Sequence, residues 1–215
     1  MKLFIIKFFL LTFLFSCYTS KSSVDRALLL NAMQLANEDK IIKISIIGDS
    51  LSEWSGAFGL QNKLGARYQI NDYSVAGRNT EDWLYDINTP FQTASDITII
   101  ELGTNDAMSI SKERFQSNYK QLISKVKERT NSLVIITTVP LSDDLSIKEI
   151  IRENNLFLRN LSKDYILADI EKAFLENGTN FQIYSPMDPI HPNPIGYELM
   201  GLEYKRVILS IGIPK

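Results

Sequence analysis

The chain is poor in the residues that build metal centres and disulfide frameworks. Its 215 residues include one histidine, His191, and one cysteine, Cys17. A lone cysteine excludes any intrachain disulfide. One histidine and one cysteine are too few for the usual zinc site, which takes three or four such ligands. Counting alone leaves open a calcium or magnesium site built of carboxylates. Charge of one sign is also lacking: 23 basic residues stand against 25 acidic, net −2. A nucleic-acid partner would leave a basic footprint, so none is expected. The longest apolar run, residues 3–15, falls short of the ~20 residues that cross a bilayer as a helix. Internal repeats and low-complexity tracts are absent. What is there is ordinary for a globular protein: 45% apolar and 22% charged residues, at a length that supports one hydrophobic core.

The apolar run begins after Lys2, contains Lys7 and ends at Ser16-Cys17. A basic start, a short apolar stretch and a small residue before a cleavage point describe a secretory signal, so residues 1–16 are set aside from the fold. Leu14-Phe15-Ser16-Cys17 resembles the bacterial lipoprotein signal, in which the cysteine becomes the lipid-bearing first residue. Phe15 is bulkier than the usual occupant of its position. The plainer alternative is a signal peptide whose cysteine is incidental. Cleavage before Cys17 leaves 21 basic and 25 acidic residues. The reading is an exported protein anchored to a membrane through lipid on Cys17, otherwise periplasmic or secreted. Residues 17–40 follow as a serine-rich tether and a helix, with Ala27, Leu28, Leu30, Met33 and Leu35 at helical spacing.

From residue 41 onward short apolar runs alternate with helical patterns. Strands are expected over 41–47, 68–75, 97–102, 133–139 and 165–170. Helices are expected over 56–67, 80–87 with Thr80 as cap, 111–130 capped by Ser111, 145–161 and 195–209. A Gly-, Pro- and Asn-rich loop spans 176–194. Strand–helix alternation implies a parallel sheet covered on both faces. Five strands at this length predict an α/β, flavodoxin-like three-layer α/β/α sandwich with a five-stranded parallel sheet over residues 41–215. Ligands in such sheets bind beyond the carboxyl ends of the strands.

Those ends carry unusual sequences. They are Gly48-Asp49-Ser50-Leu51, Ala76-Gly77-Arg78-Asn79-Thr80 and Gly103-Thr104-Asn105-Asp106; Asp188-Pro189-Ile190-His191-Pro192 follows near the carboxyl terminus. A serine hydroxyl is a weak nucleophile until a base takes its proton, and His191 is the one imidazole available. Asp188, three residues earlier, can accept a hydrogen bond from one ring nitrogen and leave the other as base. The four blocks, in this order, resemble those of the SGNH hydrolases, also called GDSL esterases/lipases. The resemblance runs from about residue 41 to the end of the chain. It implies a catalytic triad of Ser50, His191 and Asp188. It also implies an oxyanion hole formed by the N–H groups of Ser50 and Gly77 and the side chain of Asn105. Two positions depart from the family: Pro189 stands where glycine is common, and Ala76 where serine is common. The G-x-S-x-G elbow of the larger α/β hydrolases is absent around Ser50.

Plainer roles exist for several of these residues. Ser50 is a possible helix cap, and Asn105 or Asp106 a turn cap. Asp49 is read as supporting its loop, Gly103 as a turn, and Asn193 and Gly196-Tyr197 as starting and packing the last helix. Trp54, Arg78 and Trp83 either shape a pocket or belong to core and surface. The resulting expectation is a serine-dependent carboxylic ester hydrolase working through an acyl-enzyme on short-acyl esters of sugars, lipids or small molecules, with no cofactor and no metal. An acyltransferase or thioesterase on the same triad is one alternative. A non-catalytic ligand-binding lipoprotein is the other. Nothing in the sequence fixes the oligomeric state.

Overall fold

The computed structural model describes residues 40–91, 94–177 and 182–211. The signal segment, Cys17 and the tether lie outside the described residues. Five parallel strands form one sheet: β1 (Ile42–Gly48), β2 (Tyr68–Asp72), β3 (Ile97–Glu101), β4 (Leu133–Thr137) and β5 (Ile166–Ala168), in the order β2-β1-β3-β4-β5. This is the flavodoxin-like order, with the switch point between β1 and β3. The register pairs Gly48 with Glu101, so the ends of these two strands lie side by side.

The three inner strands are near-continuous apolar runs because helices cover both faces. Ile42, Ile44, Ile46, Ile97, Ile99, Leu133 and Ile135 face one core, filled by Leu51, Phe58, Leu60, Met200 and Tyr204. Ile47, Ile100, Val134 and Ile136 face the other, filled by Trp83, Phe115, Tyr119, Val126 and Leu158. The alternation is the period of two that a pleated strand imposes. On the second face the helices α3 (Thr80–Tyr85), α5 (Lys112–Arg129) and α6 (Leu145–Leu161) supply these side chains; α2 (Leu60–Leu64), α7 (Ile170–Asn177) and α8 (Pro194–Ser210) serve the first. Ser111 caps α5 through the Arg114 N–H, as its position predicts.

Four local expectations are corrected. The helix expected over 56–67 is instead a turn and then α2, and an unexpected short helix α1 (Ser50–Trp54) precedes them. In the turn Gly56, Ala57, Phe58 and Gly59 all have positive φ, between 55° and 62°. A left-handed conformation at Ala57 and Phe58 costs about 1–2 kcal/mol per residue. The offset is visible: Phe58 is buried beside Tyr204, with ring centroids 4.9 Å apart, and its N–H donates to Ser55 Oγ at 3.0 Å. Burying a phenylalanine contributes roughly 1.5–3 kcal/mol, which offsets much of the cost of the two left-handed residues. Second, the cap of α3 is Asn79, in a reciprocal capping box with Asp82, and Thr80 is its first helical residue. Third, a helix α4 (Thr104–Ser109) follows β3 directly. Fourth, the loop 176–194 contains the end of α7 and an antiparallel ribbon of β6 (Tyr184–Ser185) and β7 (Asp188–Pro192). Two prolines inside a strand hide it in the sequence; a two-stranded ribbon tolerates them because its edges are free.

The last helix seats on the left-handed turn. A Cβ at Gly201 would lie 2.4 Å from the Phe58 carbonyl oxygen, a backbone atom that cannot swing away. Gly201→Ala is therefore expected to cost about 1–3 kcal/mol, read as a lowered denaturation midpoint with unchanged slope.

Candidate active site

The nucleophile turn is assembled from the end of β1. Gly48 has no room for a side chain: a Cβ there would meet Ser74 Oγ at 2.5 Å and Ser52 Cβ at 3.0 Å. Asp49 then caps α1, accepting the Leu51 N–H at 2.9 Å. Asp49, not Ser50, is thus the cap, and Ser50 becomes the first helical residue with its hydroxyl free for other work. That hydroxyl lies 2.9 Å from His191 Nε2.

His191 is held from the other end of the chain. Asp188 opens β7 and folds back on it, accepting the N–H groups of Ile190 at 3.1 Å and His191 at 2.9 Å. The same carboxylate meets His191 Nδ1, with Oδ2 at 2.9 Å. Burial pushes the Asp188 carboxyl up, but the bonds from the His191 and Ile190 N–H groups and from the imidazole win and keep it below its ordinary range. An ionised carboxylate only accepts, so Nδ1 carries the ring proton and Nε2 is left to accept from the Ser50 O–H. The fold-back of Asp188 onto His191 therefore fixes the tautomer.

Gly77 sits at φ 82°, in the left-handed region that favours glycine. Its neighbours are tied inward: Val75 N–H to the Gly48 carbonyl at 3.3 Å, Ala76 N–H to Glu53 Oε2 at 2.7 Å, and Arg78 N–H to the Val75 carbonyl at 3.2 Å. Among the described residues, no acceptor takes the N–H of Gly77 or that of Ser50. Asn105, in the first turn of α4, donates from Nδ2 to Asp49 Oδ2 at 3.1 Å and to the Arg78 carbonyl at 3.0 Å. It joins three loops, and both amide hydrogens are aimed at protein acceptors in this resting arrangement. Trp83 adds a further tie, donating from Nε1 to the Gly48 carbonyl at 3.0 Å. Arg78 stacks on Trp83 and pairs with Asp86.

The sequence left the role of Trp54 open; here its ring lies on His191, centroids 4.2 Å apart, with 60% of the residue exposed. Asp106 is buried and caps α3 from the side, accepting the Thr80 N–H at 3.0 Å. Glu101 escaped the sequence reading altogether. It is buried under the nucleophile turn, faced by the N–H groups of Asp49 and Ser52. Gly103 is a turn residue, as expected, at φ 136° against Val139. Asn193 caps α8, and Gly196 packs closely on Ile183 and Pro192. Among the described residues no group of three or more His, Cys, Asp or Glu side chains is placed to hold a metal ion.

Three buried carboxyl groups thus underlie the site. Burial pushes Asp49 up to about 7 and Asp106 up to about 6, and burial followed by the charge of Asp49 raises Glu101 well above its usual range. The folded chain therefore keeps protons that the unfolded chain has released above pH ~4. These groups should make the protein lose stability as pH rises from about 4 to about 7. Urea titrations across that window check it: Asp106→Asn should flatten the pH dependence.

A sequence model of the GDSL-like Lipase/Acylhydrolase family matches residues 46–199. The chain belongs to this family. The match spans all four blocks and makes the protein a GDSL/SGNH-type esterase. Among similar proteins, Uncharacterized protein YpmR of Bacillus subtilis (strain 168) is 24% identical, over 85% of this chain and 88% of its own. The acetylxylan esterase Axe2 from Geobacillus stearothermophilus shares the fold with TM-score 0.68 at 15% identity, covering 81% of this chain and 96% of Axe2. A member of the lipolytic G-D-S-L family from Veillonella parvula DSM 2008 gives TM-score 0.67 at 21% identity, over 78% and 98%.

Proposed function

We propose that this GDSL esterase hydrolyses short-acyl carboxylic esters through an acyl-enzyme on Ser50. The observation that carries the reading is the unbroken contact from Ser50 Oγ to His191 Nε2 and from Nδ1 to Asp188. His191 takes the Ser50 proton as Oγ attacks the acyl carbon. The carbonyl oxygen gains negative charge, met by the N–H groups of Ser50 and Gly77 and by Asn105, whose amide turns one hydrogen to it from the Arg78 carbonyl. His191 then protonates the departing alcohol, next activates water, and the acid leaves as Ser50 recovers its proton. Aspartate keeps the imidazole oriented and stabilises its charged form; it does not itself take the proton. The similarity to acetyl xylan esterases supports a short acyl group. The test is hydrolysis of acetyl, butyryl and longer model esters, acetylated glycans and lysophospholipids. Rates should fall with acyl length; a preference for long chains would reject the short-acyl reading.

The same proposal places the enzyme outside the cytoplasm, anchored by lipid on Cys17. The support is the signal-like segment ending in Ser16-Cys17. Cys17→Ser should release the protein from the membrane fraction, since several acyl chains anchor stably where one does not. Mass spectrometry finding an unmodified Cys17 at the mature amino terminus would contradict the anchor.

A further inference from the structure

Proton return fixes where the alcohol half of the ester must lie. The leaving oxygen receives its proton from His191 Nε2, so it sits within hydrogen-bond reach of that atom. The carbon skeleton beyond it extends past whatever flanks the imidazole, and that neighbour is Trp54. An indole 60% exposed is an unusual thing to place on a surface. Here it closes α1, one residue before four with left-handed backbone, two of them without the freedom of glycine. Strain of this kind clusters where function requires a side chain to be presented. Phe58 is drawn into the core while Trp54, four residues earlier, stays on the outside against His191.

On the same indole borders an open groove of about 310 Å³, lined also by Ser55, Lys63, Pro194, Tyr197 and Glu198. Lys63 and Glu198 form an ion pair across it at 2.6 Å. An aromatic face beside charged groups matches one kind of alcohol best. The C–H face of a pyranose ring covers the indole, and its hydroxyls exchange hydrogen bonds with the lysine and the carboxylate. A straight alkyl or plain aryl alcohol can cover the indole but leaves the polar pair without partners.

We infer that Trp54 and the Lys63–Glu198 groove form a subsite for the alcohol portion of the substrate, and that this portion is a sugar ring. The inference rests on the ester-hydrolase reading above for the direction in which the alcohol leaves. Two acetyl esters differing only in alcohol test it: an acetylated methyl glucoside and ethyl acetate. In Trp54→Ala the ratio of kcat/KM for the glucoside ester over that for ethyl acetate should fall about 10- to 100-fold, the scale of one lost apolar contact face, with the loss carried mainly by KM. Trp54→Phe should restore most of the ratio, and Glu198→Ala, at an exposed position, should lower it several-fold. An unchanged ratio in Trp54→Ala would overturn the subsite, whether both rates persist or both fall together; the latter would make Trp54 only a support for His191. A second measurement needs no turnover. The chain has two tryptophans, and Trp83 is buried, so methyl glucoside titrated into Ser50→Ala should change the fluorescence saturably through Trp54. The signal should vanish in Ser50→Ala/Trp54→Phe; no signal in Ser50→Ala would also overturn the subsite. Failure of the wild type to react with a fluorophosphonate would instead strike the ester-hydrolase reading, leaving the fluorescence titration to judge the groove.

Discussion

Ser50→Ala is expected to lower kcat by about 10⁶-fold, the scale seen when a serine relay loses its nucleophile, while the protein stays folded. The two halves of that expectation have different sources. The loss follows from Oγ being the atom that bonds to the acyl carbon and from its 2.9 Å contact with His191 Nε2. The retained fold follows from how little else the hydroxyl does: the turn is held by Asp49, through the Leu51 N–H, and by the close fit of Gly48. The imidazole that loses its partner is partly exposed, so water can replace the hydroxyl, and stability should change by less than about 1 kcal/mol. His191→Ala should reduce kcat comparably, and the double variant should be little worse than either single one, because the residues act as a unit. Initial rates on an acetyl ester, with urea denaturation of each variant, give both readings.

Asn105→Ala is expected to lower kcat by roughly 10²–10³ with a much smaller change in KM, the pattern of a lost oxyanion donor. The structure adds a second consequence. Asn105 also satisfies buried Asp49 and the Arg78 carbonyl, so its removal should cost about 1–3 kcal/mol of stability. Asn105→Asp separates a donor from a simple turn cap. A turn cap tolerates aspartate as well as asparagine. A carboxylate here would instead face Asp49 Oδ2 and a carbonyl oxygen, acceptors both. Burial already lifts Asp49 to about 7, and a second carboxylate in contact would force the pair to share a proton. Asn105→Asp should therefore be at least as damaging as alanine, and increasingly so as pH rises. Near-wild-type turnover in Asn105→Asp would make Asn105 no more than a turn cap and leave the N–H groups of Ser50 and Gly77 as the oxyanion donors.

Periodicity made the fold legible in the sequence. The runs of Ile, Val and Leu that became β1, β3 and β4 are too short and too apolar for anything but strands buried on both faces. The positions of the four blocks beyond strand ends then pointed to the site. What escaped was set by contacts distant in sequence or by unusual backbone. Glu101 reads as one polar residue ending an apolar strand; only the pairing of β3 with β1 puts it under Asp49. The left-handed turn at 56–59 has a glycine at each end, but nothing local says that Ala57 and Phe58 will follow their sign of φ. That turn takes the first four residues of the helix expected over 56–67, and it follows closely on Trp54, whose ring lies against His191. The ribbon carrying Asp188 and His191 reads as a loop in the sequence because of its prolines. The three-residue spacing of acid and imidazole is legible all the same, since it depends on Asp188 folding back onto the His191 N–H.

Peptide mapping after reaction with a fluorophosphonate reads out directly whether Ser50 is the nucleophile and His191 activates it. One phosphonyl adduct per chain is expected, on Ser50, formed by the wild type and almost lost in His191→Ala. An adduct on another serine, or equal labelling of Ser50 in wild type and His191→Ala, would contradict it.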